Sequence, residues 1–95
     1  MRDRREELLV ILAEECAEVA QMVAKCQRFG MDDVYPNDRT GLTNRMRLER
    51  EIGDLMAIIH ILTEEEHLSP IMIADARIAK RIKVEKFMTH GKETP

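Results

Sequence analysis

With 95 residues, 44% of them hydrophobic and 35% charged, the chain has room for one domain with heavily solvated outer faces. A net charge of -3 gives no global attraction to nucleic acid or to an acidic membrane, and no run reaches the ~18 consecutive apolar residues of a membrane span. A domain this small buries only roughly 60–65% of its unfolded surface, so oligomerisation is the usual way for it to shelter a pocket.

Three helices are expected, in an all-α single domain spanning residues 1–95. The opening MRDRREELLV is charged and its apolar run is too short for a secretory signal. The first helix runs from about Arg4 to Phe29, with Asp3 as N-cap, Glu6 completing a capping-box-like pair, and Gly30 ending it. MDDVYPNDRTGLT, with Pro36 and Gly41, makes residues 30–43 a loop. The second helix starts near Thr43 or Asn44 and runs to about His67. HLSP breaks it: Ser69 caps a third helix and Pro70 takes its first position, where a missing N–H costs nothing. That helix is expected to reach about Thr89, with HGKETP as a frayed tail and no strands anywhere. Two long helices and a shorter one make an incomplete bundle. A second copy would complete it as a four-helix core, the alternative being a monomeric three-helix bundle.

Cys16 and Cys26 fall in one helix, about 15 Å apart, too far for a disulfide between them. They read as reduced core residues of a cytoplasmic protein, with no partners at metal-site spacing.

The informative stretch is EECAEV, Glu14 to Val19, which sets three carboxylates on an otherwise amphipathic helix. With about 100° per residue and Leu8 as origin, Leu12, Cys16, Val19, Val23 and Cys26 share one face, widened by Ile11 and Met22. Glu15 falls inside that face, Glu18 on its shoulder and Glu14 farther toward solvent. On the second helix Leu48, Ile52, Leu55, Ile59 and Leu62 form the stripe. Glu51 falls between Ile58 and Leu62, and Asp54 between Ile61 and Ile58. Each helix therefore carries an acidic pair three residues apart on its core-facing flank.

Ionised carboxylates are costly to bury unless they are paired or bound to metal. Four converging from two antiparallel helices would repel one another, and a hard divalent cation, Mg²⁺ or Mn²⁺, resolves that. The alternative is that the acids are solvated, or partnered by Arg47, Arg50 and Lys25.

EECAEV followed by EIGD, Glu51 to Asp54, resembles the E-E-x-x-E … E-x-x-D signature of the MazG-like all-α nucleoside triphosphate pyrophosphohydrolases. That superfamily also takes in dimeric dUTPases and phosphoribosyl-ATP pyrophosphohydrolases. The resemblance runs from about Glu6 to Met88. EECAEVAQMVAKCQRFG and LEREIGDLMAIIHIL look especially like short phage and bacterial members. It implies a bundle built by homo-oligomerisation, as dimer or tetramer, and Mg²⁺-dependent cleavage of a nucleoside triphosphate between its α and β phosphorus atoms. By the same resemblance Glu15, Glu18, Glu51 and Asp54 would be metal ligands, with Glu14 and Glu15 as catalytic residues that support or orient the attacking water. The spacer between the two acidic pairs is longer than in many members because of the loop. That departure concerns loop-borne substrate contacts, not the metal site.

Phosphoryl transfer needs positioning and charge neutralisation more than a strong side-chain nucleophile. Lys25 shares a flank with Glu18 and is a candidate phosphate contact, as is Arg28 at the helix end. RIAKRIKVEK, Arg77 to Lys86, has five basic residues and one acid. Lys80 and Lys83 are its substrate-binding candidates, with Asp75 as a further polar contact. The competing reading is a solvated face whose cations suit the C-terminal half of a helix. Glu64 and His67 form an E-x-x-H, but the second such pair of a di-iron bundle is missing. Aromatic residues are few (Phe29, Tyr35 and Phe87), so little base stacking is available. The rival function is a non-catalytic helical interaction module with structural acidic pairs.

Overall fold

A computed structural model gives the architecture of residues 3–91. Residues 92–95, most of the expected tail, lie outside the described residues. The chain is all-α, with helices α1 (Arg4–Phe29), α2 (Asn44–Glu64) and α3 (Pro70–Phe87). Each begins on a side-chain cap that satisfies an otherwise orphaned backbone N–H. The Asp3 carboxylate accepts from the Glu6 N–H at 2.8 Å, Thr43 Oγ1 from Met46 at 3.1 Å, and Ser69 Oγ from Met72 at 3.2 Å. Gly30, at φ 94°, closes α1 with its N–H on the Cys26 carbonyl.

Two helix ends differ from expectation. α2 stops at Glu64 and not at His67: Glu66 turns the chain at φ 63°, and the N–H groups of His67 and Leu68 both reach the Leu62 carbonyl, at 2.9 and 3.2 Å. On a continued helix Leu68 would fall about 200° from Leu48, opposite the apolar stripe, whereas the turn brings it to half-burial. α3 stops at Phe87, before Thr89; Met88 is already extended, its N–H held by the Val84 carbonyl. The loop is also more ordered than an absence of strands implies, since Val34 and Thr43 form an antiparallel β-bridge across it.

α1 and α2 pack as an antiparallel hairpin. At one end Asn44, fully buried, donates from Nδ2 to the Gly30 carbonyl and from its N–H to the Asp33 carbonyl, each at 2.9 Å. At the other end Arg4 grips Glu65, Nη2 to Oε2 at 2.7 Å. Between them Leu8, Met22, Cys26 and Leu62 form the core. Cys16, expected in that core, is exposed. It lies about 80° round α1 from Leu8, at the edge of the apolar face, where Cys26 lies at its centre.

α3 leaves this hairpin and has no buried residue. Ile71, Met72, Ile78, Ile82 and Phe87 stand open along it, and Met56, Ile59, Ile73 and Ala74 line an open groove where it diverges from α2. The chain exposes 8126 Å², where a compact monomer of this mass would expose roughly 5,600 Å². Its radius of gyration is 16.6 Å, against about 12 Å for a compact domain. Among the described residues no helix is long and apolar enough to cross a membrane.

Candidate active site

The middle of the hairpin brings the two acidic pairs together. Glu15 is half-buried on α1 with Glu18 exposed beside it, and Glu51 is half-buried on the facing wall of α2. One carboxylate oxygen from each of the three lies within 4.8 Å of the others. Asp54 stands outside that cluster but one turn from Glu51, exposed, and close enough for its charge to raise the pKa of both Glu15 and Glu51. Glu14 is exposed, as its position on the helix requires.

Charge is not neutralised here. Burial, then the charges of Glu18 and Asp54, push the Glu15 carboxyl above the usual carboxylate range. The Glu18 carboxyl, within hydrogen-bonding reach, does the same to Glu51, and burial adds to it. Oε2 of Glu15 and Oε2 of Glu51 are buried without a hydrogen-bond partner. Among the described residues none of the four acids forms an ion pair. The three cations that the sequence offers as partners are disposed otherwise. Arg47 is bound to Asp38 in the loop, Nη2 to Oδ2 at 2.8 Å. Lys25 lies with Nζ 5.3 Å from the Tyr35 ring centroid. Arg50 is exposed and makes no ion pair among the described residues.

This donor set fits a hard divalent cation. Oxygens bound at about 2.1 Å to one Mg²⁺ are at most ~4.2 Å apart, so a small side-chain rotation closes the cluster. The two orphaned buried oxygens are the atoms such an ion would satisfy. Glu15, Glu18 and Glu51 form the set, with Asp54 at its rim.

Beside the acids, a cleft of about 260 Å³ opens between the loop and α2, with Met22 of α1 at its base. Glu51 and Asp54 form one side, Arg47 and Arg50 run along the same helix, and Thr40 and Leu42 close it from the loop. The remaining substrate-binding candidates lie elsewhere. Arg28 sits over the Phe29 ring at 5.0 Å from its centroid, and Asp75, Lys80 and Lys83 are exposed on α3, which diverges from this hairpin and buries none of its residues against it. The cleft arginines and Thr40 were not among the site candidates read from sequence. The signal for the arginines was the i, i+4 offset in RLEREIGD, which pairs Arg47 with Glu51 and Arg50 with Asp54; Thr40 had none.

The described residues thus form an all-α hairpin with a carboxylate-lined site built from an E-x-x-E and an E-x-x-D pair on facing helices. The sequence model of the MazG nucleotide pyrophosphohydrolase domain matches residues 4–88. The chain belongs to that family. No curated protein and no solved structure matches it.

Proposed function

We propose that this chain is a Mg²⁺-dependent nucleoside triphosphate pyrophosphohydrolase, with Mn²⁺ as a possible substitute, that yields a nucleoside monophosphate and pyrophosphate. The observation that carries the reading is the trio of carboxylates within 4.8 Å, two with buried oxygens that have no hydrogen-bond partner among the described residues. A structural acidic pair would be expected to hold a cation from the protein, and among the described residues these do not. Glu15, Glu18 and Glu51 would hold the ion, and Asp54 would complete the set. When bound, the ion would neutralise phosphate oxygens and lower the pKa of a coordinated water.

The chain's own groups do the rest. Glu15 orients the attacking water and accepts its proton as the water oxygen bonds to the α phosphorus. Glu14, on the solvent side, supports that orientation. The bond to the bridging oxygen breaks, and pyrophosphate leaves with the pair of electrons. A homo-oligomer is part of the proposal. The surplus exposed surface, roughly 2,500 Å² over a compact chain, is what a large obligate interface removes, and the open faces of α3 and of its groove with α2 are where it lies.

Pyrophosphate release from a panel of ribo- and deoxyribonucleoside triphosphates with Mg²⁺ tests this, with Asp54→Asn in parallel. Release together with a monophosphate, lost in the variant, is the expected result. Silence across the panel, with no metal-induced rise in melting temperature, hands the chain to the non-catalytic interaction module.

A further inference from the structure

We propose that the cleft between the loop and α2 is the subsite for the pyrophosphate end of the substrate, with Arg50 as the contacting cation and Arg47 as a residue held in position by Asp38. This rests on the pyrophosphohydrolase reading above and goes beyond it in naming which group occupies the cleft and what holds it.

Three observations lead here. On one helix face, i, i+4 spacing offers Arg47 to Glu51 and Arg50 to Asp54, pairs worth forming on an exposed helix. Neither pair is made among the described residues. Arg47 instead turns to the loop, where the Asp38 carboxylate, its side chain only 4% exposed, takes Nη2 at 2.8 Å. Thr40 locks that carboxylate, donating from its N–H at 3.0 Å and from Oγ1 at 2.7 Å. Arg47 is left with a buried Nε that has no partner. The cleft thus keeps unpaired carboxylates and donors of two guanidinium groups side by side.

Such a lining is poorly matched to a simple anion, which the acids would repel, and its arginines add nothing to holding a cation alone. It matches an anion that arrives with its own divalent cation: phosphate oxygens on the guanidinium groups, the metal on the carboxylates. Size narrows the choice. Sites that enclose a drug-sized ligand run to ~300–1,000 Å³, and this cleft offers about 260 Å³. It takes the two terminal phosphates and leaves the nucleoside outside.

The test is titration of the intact protein with inorganic pyrophosphate in saturating Mg²⁺, by calorimetry, for wild type, Arg50→Gln and Arg50→Lys. Arg50→Gln is expected to weaken pyrophosphate binding at least 10-fold, the loss of one charge-assisted contact. Arg50→Lys should recover part of it, because charge remains but the planar fork does not. The metal-induced rise in melting temperature and the affinity for nucleoside monophosphate should stay within about twofold. Wild-type pyrophosphate affinity in Arg50→Gln, or equal losses for pyrophosphate and monophosphate, overturns the assignment while leaving a working hydrolase in place. If Arg50→Gln does not fold, undiminished pyrophosphate affinity in Arg50→Lys overturns the bidentate contact. A wild type that binds metal and hydrolyses nothing, or binds no metal, fails the underlying reading first.

Discussion

The loop clasp and the acid cluster stand on the same stretch of α2 and handle charge in opposite ways. In the clasp Asp38 receives Arg47 and two bonds from Thr40, and these hold its carboxyl far below the usual carboxylate range. One turn along the helix Glu51 receives no cation among the described residues, and the neighbouring Glu18 together with burial holds its carboxyl above that range. Helical spacing offers Arg47 to Glu51, and the fold gives it to Asp38 of the loop. A carboxylate with a structural task is saturated with donors from its own chain. One kept for a ligand is left short of them, at a cost in stability that the ligand removes. The difference between the two is more informative than the acidic residues counted together.

The most drastic way to break the contrast is to remove the unsatisfied member. Glu51→Gln is expected to lower pyrophosphate release by about 10³-fold or more, the scale of losing a group that stabilises transition-state charge. It should also abolish the rise in melting temperature caused by Mg²⁺ or Mn²⁺. In metal-free buffer the same variant should melt no lower than wild type, because a repelled carboxylate has gone. A clear fall in metal-free melting temperature would mean that Glu51 holds the helices together, and the contrast with Asp38 would collapse.

A smaller effect is expected from the clasp and from pH. Asp38→Asn frees Arg47 to swing toward Glu51. Pyrophosphate release should fall by about 10-fold, the cost of a lost charge-assisted contact, and the metal-induced melting shift should shrink. The two carboxylates also predict opposite pH responses. Asp38 has a depressed folded pKa, so its stabilising contribution is present above the ordinary value of 3.8 and is lost only as pH falls through its much lower folded value. Glu15 and Glu51 have raised folded pKa values, so the metal-free protein loses stability as pH rises from 4.5 through those values. Melting curves between about pH 4 and 7 should therefore show the metal-free protein gaining from acid while the metal-induced shift shrinks, with the loop still clasped. A metal-induced shift that is flat across that range would place the ion elsewhere.

How much of this could be read from sequence follows from how local each feature is. The caps Asp3 and Ser69 and the stop at Gly30 obey rules that act within one turn, and the structure has them where the sequence put them, with α2 starting at Asn44 as one of the two expected positions. The half-burial of Glu15 and Glu51 followed from helical periodicity, because α1 and α2 pack by their apolar stripes. The end of α2 at Glu64 differs from the periodicity because it depends on Leu68 finding cover in a turn, a tertiary matter. Cys16 was misjudged because an apolar face is wider than the part α2 covers in one chain. The clasp was out of reach for the same reason. RLEREIGD advertises Arg47 for Glu51, and only the folded path of the loop brings Asp38 in to claim it. Local rules describe what a residue can pair with, and topology decides which offer is taken.

The mildest test concerns Lys25, which by helical position shares a flank with Glu18 and so could serve either region. Its ammonium lies 5.3 Å from the Tyr35 ring centroid, on the loop side, and Tyr35 in turn meets Phe29 edge-on at 5.9 Å between centroids. A cation over an aromatic ring at a partly open site contributes about 0.5–1 kcal/mol. Lys25→Met keeps the aliphatic stem on the ring and removes only the charge. If Lys25 belongs to the loop, the variant should lose no more than that stability, bind metal as wild type does, and change KM less than about twofold. If Lys25 reaches a phosphate during turnover, KM should rise at least 10-fold, as expected for a charge-assisted contact. The first outcome leaves the cleft arginines as the phosphate-facing cations of this hairpin. The second would extend the site along α1, by way of Met22, toward the Phe29–Tyr35 pair.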